Sequence, residues 1–254
     1  MHEEQAAFRL DPKRALRAMV ALTQNPDDTS QVFTIIESLS GHAPQRLIDG
    51  FRASASGRRL LADRPDIVPL LADRARLRAM PEGSLAHAYL AFVESEEITA
   101  DGLVAASEAG EIGLREKGSE LDYISKRMRD THDLWHAISG YKGDLIGEAS
   151  LLGFSLAQTH NPGIAMIVVT GIFRIRQLDA VGLIAGGIKR GLAAAWFPAV
   201  EWEDLLPLPL EAVRSRLGIE AAPAYEPLRT SALRAEGMEG ILEPIAACAI
   251  STLA

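Results

Sequence analysis

Two histidines and two acidic side chains between residues 132 and 148 have the types and spacing needed to bind a metal ion. The stretch HDLWH places His132 and His136 four residues apart, with Asp133 directly after the first histidine. Glu148 comes twelve residues after the second. Side chains four apart on an α-helix are neighbours, with Cβ atoms about 5–6 Å apart, so two imidazoles can reach one ion. Polar decoration of an ordinary amphipathic helix is the competing interpretation.

The position of Glu148 favours the metal interpretation. On a helical wheel, the two histidines and Asp133 occupy a wedge about 100° wide beside an apolar stripe. Glu148 shares its side of the next helix with Leu152 and Leu156, so it is expected to face inward. A turn at residues 140–143 would fold this helix back on the first and bring the carboxylate to the histidines. A cation there would offset the cost of burying an unpaired carboxylate.

The donor set suits several metals and several kinds of site. Two neutral imidazoles and two carboxylates suit zinc, and also iron or manganese. If only three of them bind directly, a coordination position stays open for water or substrate, as in catalytic sites. Zinc proteases need a glutamate directly after the first histidine, where this chain has the shorter Asp133. HD-type phosphohydrolases need a further histidine upstream, for which His87 is the candidate, and an aspartate far downstream, for which no residue stands out. A metal-dependent hydrolase stays open as a further alternative.

Helix signals dominate the chain and predict an all-α, single-domain helical bundle. Asp11 before a proline and Ser84 before an apolar segment are typical helix N-caps. Residues 120–139 keep one apolar stripe and are expected to form a single long helix that carries both histidines. Asp144 is expected to cap a second helix that runs through Gln158 and carries the glutamate. The apolar run AMIVVTGIF fits a strand or a helix buried on all sides.

Composition indicates a globular protein and argues against nucleic acid as a partner. The chain has 254 residues and a formal net charge of −8, whereas phosphate binding requires a basic face. Its single cysteine, Cys248, cannot form a disulfide within the chain and is expected to be a small buried residue. The N-terminus is acidic where a signal peptide is basic. The longest apolar runs, residues 163–173 and 191–200, are shorter than the roughly 20 residues that span a bilayer. We therefore expect a cytoplasmic protein, or one that lies on a membrane without crossing it.

The domain organisation follows from a change in composition near residue 220. We assign residues 1–220 to one helical domain and residues 221–254 to a C-terminal extension. The extension begins with the Ala/Pro-rich residues 221–227, which are typical of a linker, and it ends in a stretch with helix signals.

The candidate metal site resembles the signature of the coenzyme Q (ubiquinone) biosynthesis proteins of the Coq-four type. That signature is His-Asp-x-x-His, eleven residues, then Glu. All four positions fit, at His132, Asp133, His136 and Glu148. The segments MPEGSLAHAYLAFV (80–93) and EWEDLLPLPLEAVRSRLGI (201–219) are similar to two further blocks of the family. The resemblance covers roughly residues 15–220 and leaves out the tail.

The resemblance implies a fold, an activity and a ligand set. Proteins of this family are all-helical and act late in ubiquinone assembly. They remove the ring carboxylate from a polyprenylated 4-hydroxybenzoate-type intermediate, by plain decarboxylation or with a hydroxyl replacing the carboxylate. The metal-ligand roles carry over to His132, Asp133, His136 and Glu148, with zinc as the metal by family resemblance. A non-catalytic scaffold that organises the ubiquinone biosynthetic complex stays open as a second function.

The resemblance also implies a location and partners. The chain is expected to associate peripherally with the inner (cytoplasmic) membrane and to bind a polyprenylated benzoate or quinone lipid. Other ubiquinone-biosynthesis enzymes are expected partners, and a homodimer is compatible with the family. The lipid tail needs an apolar groove, for which residues 163–173 and 181–202 are the candidates.

Two sets of residues within 181–202 bear on this expectation. One set would permit close helix approach: Gly182, Gly186, Gly187 and Gly191. The other would suit a membrane interface, with aromatic rings at headgroup depth and cations toward phosphates: Trp196, Phe197 and Trp202 with Lys189 and Arg190.

Overall fold

The computed structural model describes residues 10–25, 28–96, 117–175, 180–220 and 223–229. Within these ranges the chain forms fourteen α-helices, one 3-10 helix and no strand, which confirms the all-α class. The α-helices are α1 (Pro12–Gln24), α2 (Thr29–Ser38), α3 (Ala43–Ala53), α4 (Ala55–Asp63), α5 (Val68–Ala72), α6 (Arg74–Arg78), α7 (Leu85–Ser95), α8 (Glu120–Asp130), α9 (His132–Ser139), α10 (Leu145–Thr159), α11 (Pro162–Ile175), α12 (Val181–Ala193), α13 (Trp202–Leu205) and α14 (Leu210–Leu217). In these ranges, the helices are too short or too polar to cross a bilayer.

The helix starts follow from local side-chain capping. The Asp11 carboxylate accepts a hydrogen bond from the backbone N–H three residues on, at 2.9 Å. The Asp144 carboxylate does the same for the N–H two residues on, at 3.0 Å, and the Ser84 hydroxyl caps α7. Such bonds satisfy donors that have no partner within the helix. The three caps predicted from sequence are therefore confirmed, and α10 ends one residue beyond the predicted Gln158.

The predicted single helix over residues 120–139 is wrong, because the chain breaks at Thr131 into α8 and α9. The Thr131 hydroxyl donates to the backbone carbonyl of Arg127 at 2.8 Å, and the residue leaves helical geometry. A side chain that bonds the backbone in this way competes with the helical ladder. The apolar stripe is divided accordingly, with Ile124 and Trp135 in separate hydrophobic clusters.

Glycines bring α10 and α12 into close contact. An ideal Cβ at Gly187 would lie 2.1 Å from the carbonyl oxygen of Ser150, and one at Gly191 would lie 2.6 Å from that of Phe154. A side chain at either position would push the helices apart, so close approach is confirmed there. The prediction of close helix approach is wrong for Gly182 and Gly186, nearer the start of α12, because an ideal Cβ at either position has no atom within 4 Å.

The main core is aromatic and lies behind the histidine helix α9. The ring of Phe197 packs against Trp135 and Trp202 with centroids 5.3 and 5.2 Å apart, and against Phe154 at 4.9 Å. Phe197 and Trp202 are fully buried, so the expectation that they lie at a membrane interface is wrong. The run AMIVVTGIF is helical, within α11. Cys248 and the predicted last helix lie outside the described residues.

Candidate metal centre

Three donor side chains converge between α9 and α10. His132 and His136 stand one turn apart on α9, and Glu148 comes from the first turn of α10. One ligand atom from each residue lies within 4.8 Å of the others. Glu148 places one carboxylate oxygen 3.2 Å from Nε2 of His136 and the other 4.0 Å from Nε2 of His132. The carboxylate therefore spans both imidazoles, as the predicted turn between the helices requires.

The orientation of His136 suits a metal ligand. Its Nδ1 lies 3.0 Å from the backbone carbonyl of Tyr141, which can only accept, so Nδ1 carries the proton and donates. Nε2 is then left with its lone pair toward Glu148. This nitrogen is buried and has no hydrogen-bond partner. A lone pair facing a carboxylate oxygen is repulsive, so the place between Nε2 and Glu148 suits a positive charge. In the metal-free protein that charge can be a proton on the imidazole, and a divalent cation can take its place.

Phe92 holds the same imidazole from a second side. Its ring stacks on His136 with centroids 4.7 Å apart and planes 10° from parallel, and the His136 side chain is fully buried. Sequence reasoning missed Phe92 and Tyr141 as site residues. Phe92 does belong to the segment 80–93 that carries part of the family resemblance, which is the signal that would have drawn attention to it.

Asp133 contacts the other end of the first imidazole. Its Oδ1 lies 3.3 Å from Nδ1 of His132, whereas the Nε2 atom of that ring is the one nearer Glu148. Asp133 is not among the three mutually close donors. A carboxylate on the far nitrogen fixes the tautomer and direction of a metal-binding histidine. Direct metal binding by Asp133 stays a prediction.

Replacing Asp133 with asparagine should separate these two roles. If Asp133 orients His132, the Asp133→Asn variant should bind Zn²⁺ about tenfold more weakly, the usual effect of losing such a supporting group. Calorimetric titration of the metal-stripped protein measures this. A loss as large as that caused by replacing Glu148 would instead identify Asp133 as a direct ligand.

The charges of the site reinforce one another. Partial burial by itself raises the pKa of Glu148, but the charge of His136, its contact with that imidazole and the charge of His132 outweigh this and lower the pKa to about 2. Burial by itself lowers the pKa of His132, but the hydrogen bond to Asp133 and the charge of Glu148 outweigh it and raise the pKa. Without metal, His132 therefore holds a proton to higher pH than a free imidazole does.

This protonation predicts that stabilisation by metal increases with pH. A raised pKa of His132 stabilises the metal-free fold at pH values below 6.5, and that contribution is lost as pH rises through the folded-state pKa. Metal binding needs the neutral imidazole, so it competes with this proton. The increase in Tm caused by saturating Zn²⁺ should be small at about pH 5.5 and larger at about pH 8. An increase in Tm that is the same at both pH values would contradict this.

One side of the site is accessible. The His136 side chain is fully buried, whereas the side chains of His132 and Glu148 keep 35% and 43% of their surfaces exposed. Three ligands with an open side match a catalytic metal site better than a closed structural one. His87, the candidate extra ligand of an HD-type site, has its Nε2 3.2 Å from the carbonyl of Arg78 and is not part of the group.

An all-helical chain in which two histidines of one helix meet a glutamate of the next belongs to the class of helical proteins with a His–His–carboxylate centre. Within that class, the family model of the coenzyme Q (ubiquinone) biosynthesis protein Coq4 matches residues 13–223, and the chain belongs to this family. The match includes all four residues of the predicted ligand set.

Known proteins similar to this chain agree with the family. This chain is 30% identical over 182 residues to the ubiquinone biosynthesis protein COQ4, mitochondrial, of Pyricularia oryzae. The aligned region covers 70% of this chain and 58% of that protein. This chain is 27% identical over 205 residues to the COQ4 homolog of Rattus norvegicus, and that alignment covers 79% and 75%. The chain thus spans little more than half the length of the Pyricularia protein.

A solved structure supports the fold alone. The crystal structure of a candidate ubiquinone biosynthesis protein from Nostoc punctiforme superposes with a TM-score of 0.59 at 22% sequence identity. The alignment covers 84% of this chain and 100% of that chain.

Proposed function

We propose that this protein of the ubiquinone biosynthesis family catalyses metal-dependent decarboxylation, plain or oxidative, of a polyprenylated 4-hydroxybenzoate-type intermediate at its ring carboxylate. The observation that carries the proposal is the buried Nε2 of His136, which faces Glu148 at 3.2 Å with no hydrogen-bond partner. That arrangement has a place for a cation and an accessible side for a substrate. Because the chain belongs to the Coq4 family, we place this reaction in ubiquinone biosynthesis.

The chain's residues would bind and orient rather than exchange protons. A bound divalent cation would supply the positive charge that attracts and orients the ring carboxylate. His132, His136 and Glu148 would hold it, with Asp133 as a further predicted ligand or as the group that orients His132. The substrate would approach the cation from the exposed sides of His132 and Glu148, because the Phe92 ring covers His136.

The reaction itself follows from the substrate's chemistry. The para hydroxyl pushes electrons toward the ring carbon that bears the carboxylate, and this carbon takes up a proton from water in the plain reaction. Carbon dioxide then leaves and aromaticity returns. In the oxidative version a hydroxyl takes its place, which requires an oxidant. Zinc is the metal suggested by the resemblance, but it has no accessible redox change, so dioxygen chemistry would favour iron or manganese.

The proposal also includes a binding place for the lipid tail of the substrate and an association of the protein with the membrane. The polyprenyl tail would lie in an apolar groove beside α11 and α12, and the protein would associate peripherally with the inner membrane from the cytoplasmic side. Each of these helices exposes one large apolar residue that a lipid tail could contact, Val169 on α11 and Leu192 on α12. Other enzymes of ubiquinone biosynthesis are the proposed partners.

The test measures carbon dioxide and metal together. Purified protein, freshly analysed for metal, is incubated with a polyprenylated 4-hydroxybenzoate labelled at the ring carboxylate, with and without dioxygen. The Glu148→Ala variant should lose both bound metal and label release, whereas Glu82→Ala, a glutamate exposed in a turn, should keep both. Undiminished release by metal-free protein would overturn the mechanism. Metal binding without any turnover would favour the scaffold role.

A further inference from the structure

The start of α10, the helix that carries Glu148, is covered by a segment from the C-terminal end of the described chain. Residues 223–229, here named the strap, run across this helix start. The backbone N–H of Leu145 donates to the carbonyl of Leu228 at 3.0 Å. The strap begins where the family match ends, at residue 223, and its composition had predicted a linker. Its contacts with α10 indicate a structural role instead.

Asp144 ties the strap to the helix. Its buried carboxylate accepts one hydrogen bond from the N–H of Ile146, which caps α10, at 3.0 Å. It accepts two more from the strap: from the N–H of Leu228 at 2.9 Å and from the hydroxyl of Tyr225 at 2.8 Å. A buried carboxylate needs such donors because burial without partners is costly. The cap of α10 is therefore completed by the strap.

Tyr225 connects the cap to the backbone beside the ligand. Its hydroxyl oxygen also accepts a hydrogen bond from the N–H of Lys142 at 2.8 Å, so it bridges the turn before α10 and Asp144. The same oxygen would lie 2.5 Å from an ideal Cβ at Gly147. Because Gly147 directly precedes Glu148, the Tyr225 hydroxyl packs against the backbone that sets the position of the ligand.

A second anchor joins the strap to α7. Nη2 of Arg229 lies 2.9 Å from a carboxylate oxygen of Glu96, whose side chain is only 5% exposed. Glu96 directly follows the end of α7, one turn after Phe92, the ring that stacks on His136. The strap thus contacts the start of α10, which carries Glu148, and the residue that follows α7, the helix from which Phe92 stacks on His136.

We propose that the strap is a positioning device that holds Glu148 against the two histidines, with Tyr225 as its main positioning residue. The proposal rests on the metal site proposed above. Glu148 lies in the first turn of α10, and helix ends fray unless they are capped. Release of the strap would leave the Asp144 cap incomplete and let this turn move, so Glu148 would lose its fixed distance to His136.

The test is Co²⁺ titration of the full-length, metal-stripped protein, followed by d–d absorption. Tyr225→Phe keeps the ring and removes the hydroxyl, and should weaken Co²⁺ binding about tenfold, the effect of one lost hydrogen bond to a charged group. The d–d band should change because the Glu148 oxygen moves. Arg229→Gln releases the other anchor and should act in the same direction. Tyr123→Phe is the matched control, since that hydroxyl contacts the Pro65 carbonyl instead.

Hydrogen exchange of the metal-free protein measures whether the strap holds the first turn of α10 in place. Amides of residues 144–150 should exchange faster in Tyr225→Phe than in the wild type or Tyr123→Phe. Unchanged affinity and spectrum in both strap variants would overturn the strap proposal and leave the metal site standing. Weaker binding with an unchanged d–d band and unchanged exchange would mark a general loss of stability, and would also overturn it. A wild type that takes up no Co²⁺ would overturn the metal site, and the strap's role with it.

Discussion

Replacing Glu148 with glutamine is expected to weaken Zn²⁺ binding about a hundredfold or more, because the cation loses a direct ligand and its charge. Glutamine keeps the size of the side chain but not the negative charge that balances a divalent ion beside neutral imidazoles. Glu148 is the one carboxylate among the three mutually close donors of the described chain. Calorimetric titration of metal-stripped protein at about pH 7.5, where protons compete less with the metal than at acidic pH, measures the loss.

The control for this substitution is the same chemical change at an exposed glutamate. Glu82 lies in the turn before α7, so Glu82→Gln should leave Zn²⁺ affinity unchanged. A melting curve of each metal-free variant shows whether Glu148→Gln still folds. If folded Glu148→Gln bound Zn²⁺ as tightly as the wild type, Glu148 would not be a ligand, and Asp133 would become the leading carboxylate.

The polar residues of the centre were predictable because helix geometry fixes their relations. Four-residue spacing puts His132 and His136 on one face whatever surrounds the helix. The Asp144 cap and the turn before it are local signals, and together they place Glu148 in the first turn of a helix that returns toward the histidines. Short-range rules were sufficient for this part of the site.

The groups that hold those residues were not predictable, because they come from contacts between distant segments. Phe92 reaches His136 from α7, and Tyr225 reaches the Asp144 cap from beyond the last described helix. The composition around Tyr225 indicates a linker. The contact that holds this segment on the fold, between the Tyr225 hydroxyl and the buried carboxylate of Asp144, is visible only in the structure. The break at Thr131 is local, but the apolar spacing of the sequence continues across it, so the hydrophobic pattern gives no sign of the break.

The largest effect on stability is expected from an added methyl group at Gly187. An ideal Cβ there would lie 2.1 Å from the backbone oxygen of Ser150, and backbone cannot rotate away as a flexible side chain can. Gly187→Ala should therefore lower the free energy of unfolding by about 3 kcal/mol, at the upper end of overpacking effects. For a chain of this size that lowers Tm by roughly 10 °C. Because Ser150 follows Glu148 on α10, Zn²⁺ affinity should fall as well.

Gly186→Ala is the matched control, one residue away on the same helix. An ideal Cβ at Gly186 has no atom within 4 Å, so the methyl group enters open space. Alanine is the better helix former, and this variant should be about 0.5–1 kcal/mol more stable than the wild type with unchanged Zn²⁺ affinity. The two substitutions should therefore change the free energy of unfolding in opposite directions, which distinguishes an effect of helix propensity from an effect of helix–helix contact. Equal Tm values for the two variants would show that α10 and α12 do not pack through Gly187, and the position of Glu148 would then need another support.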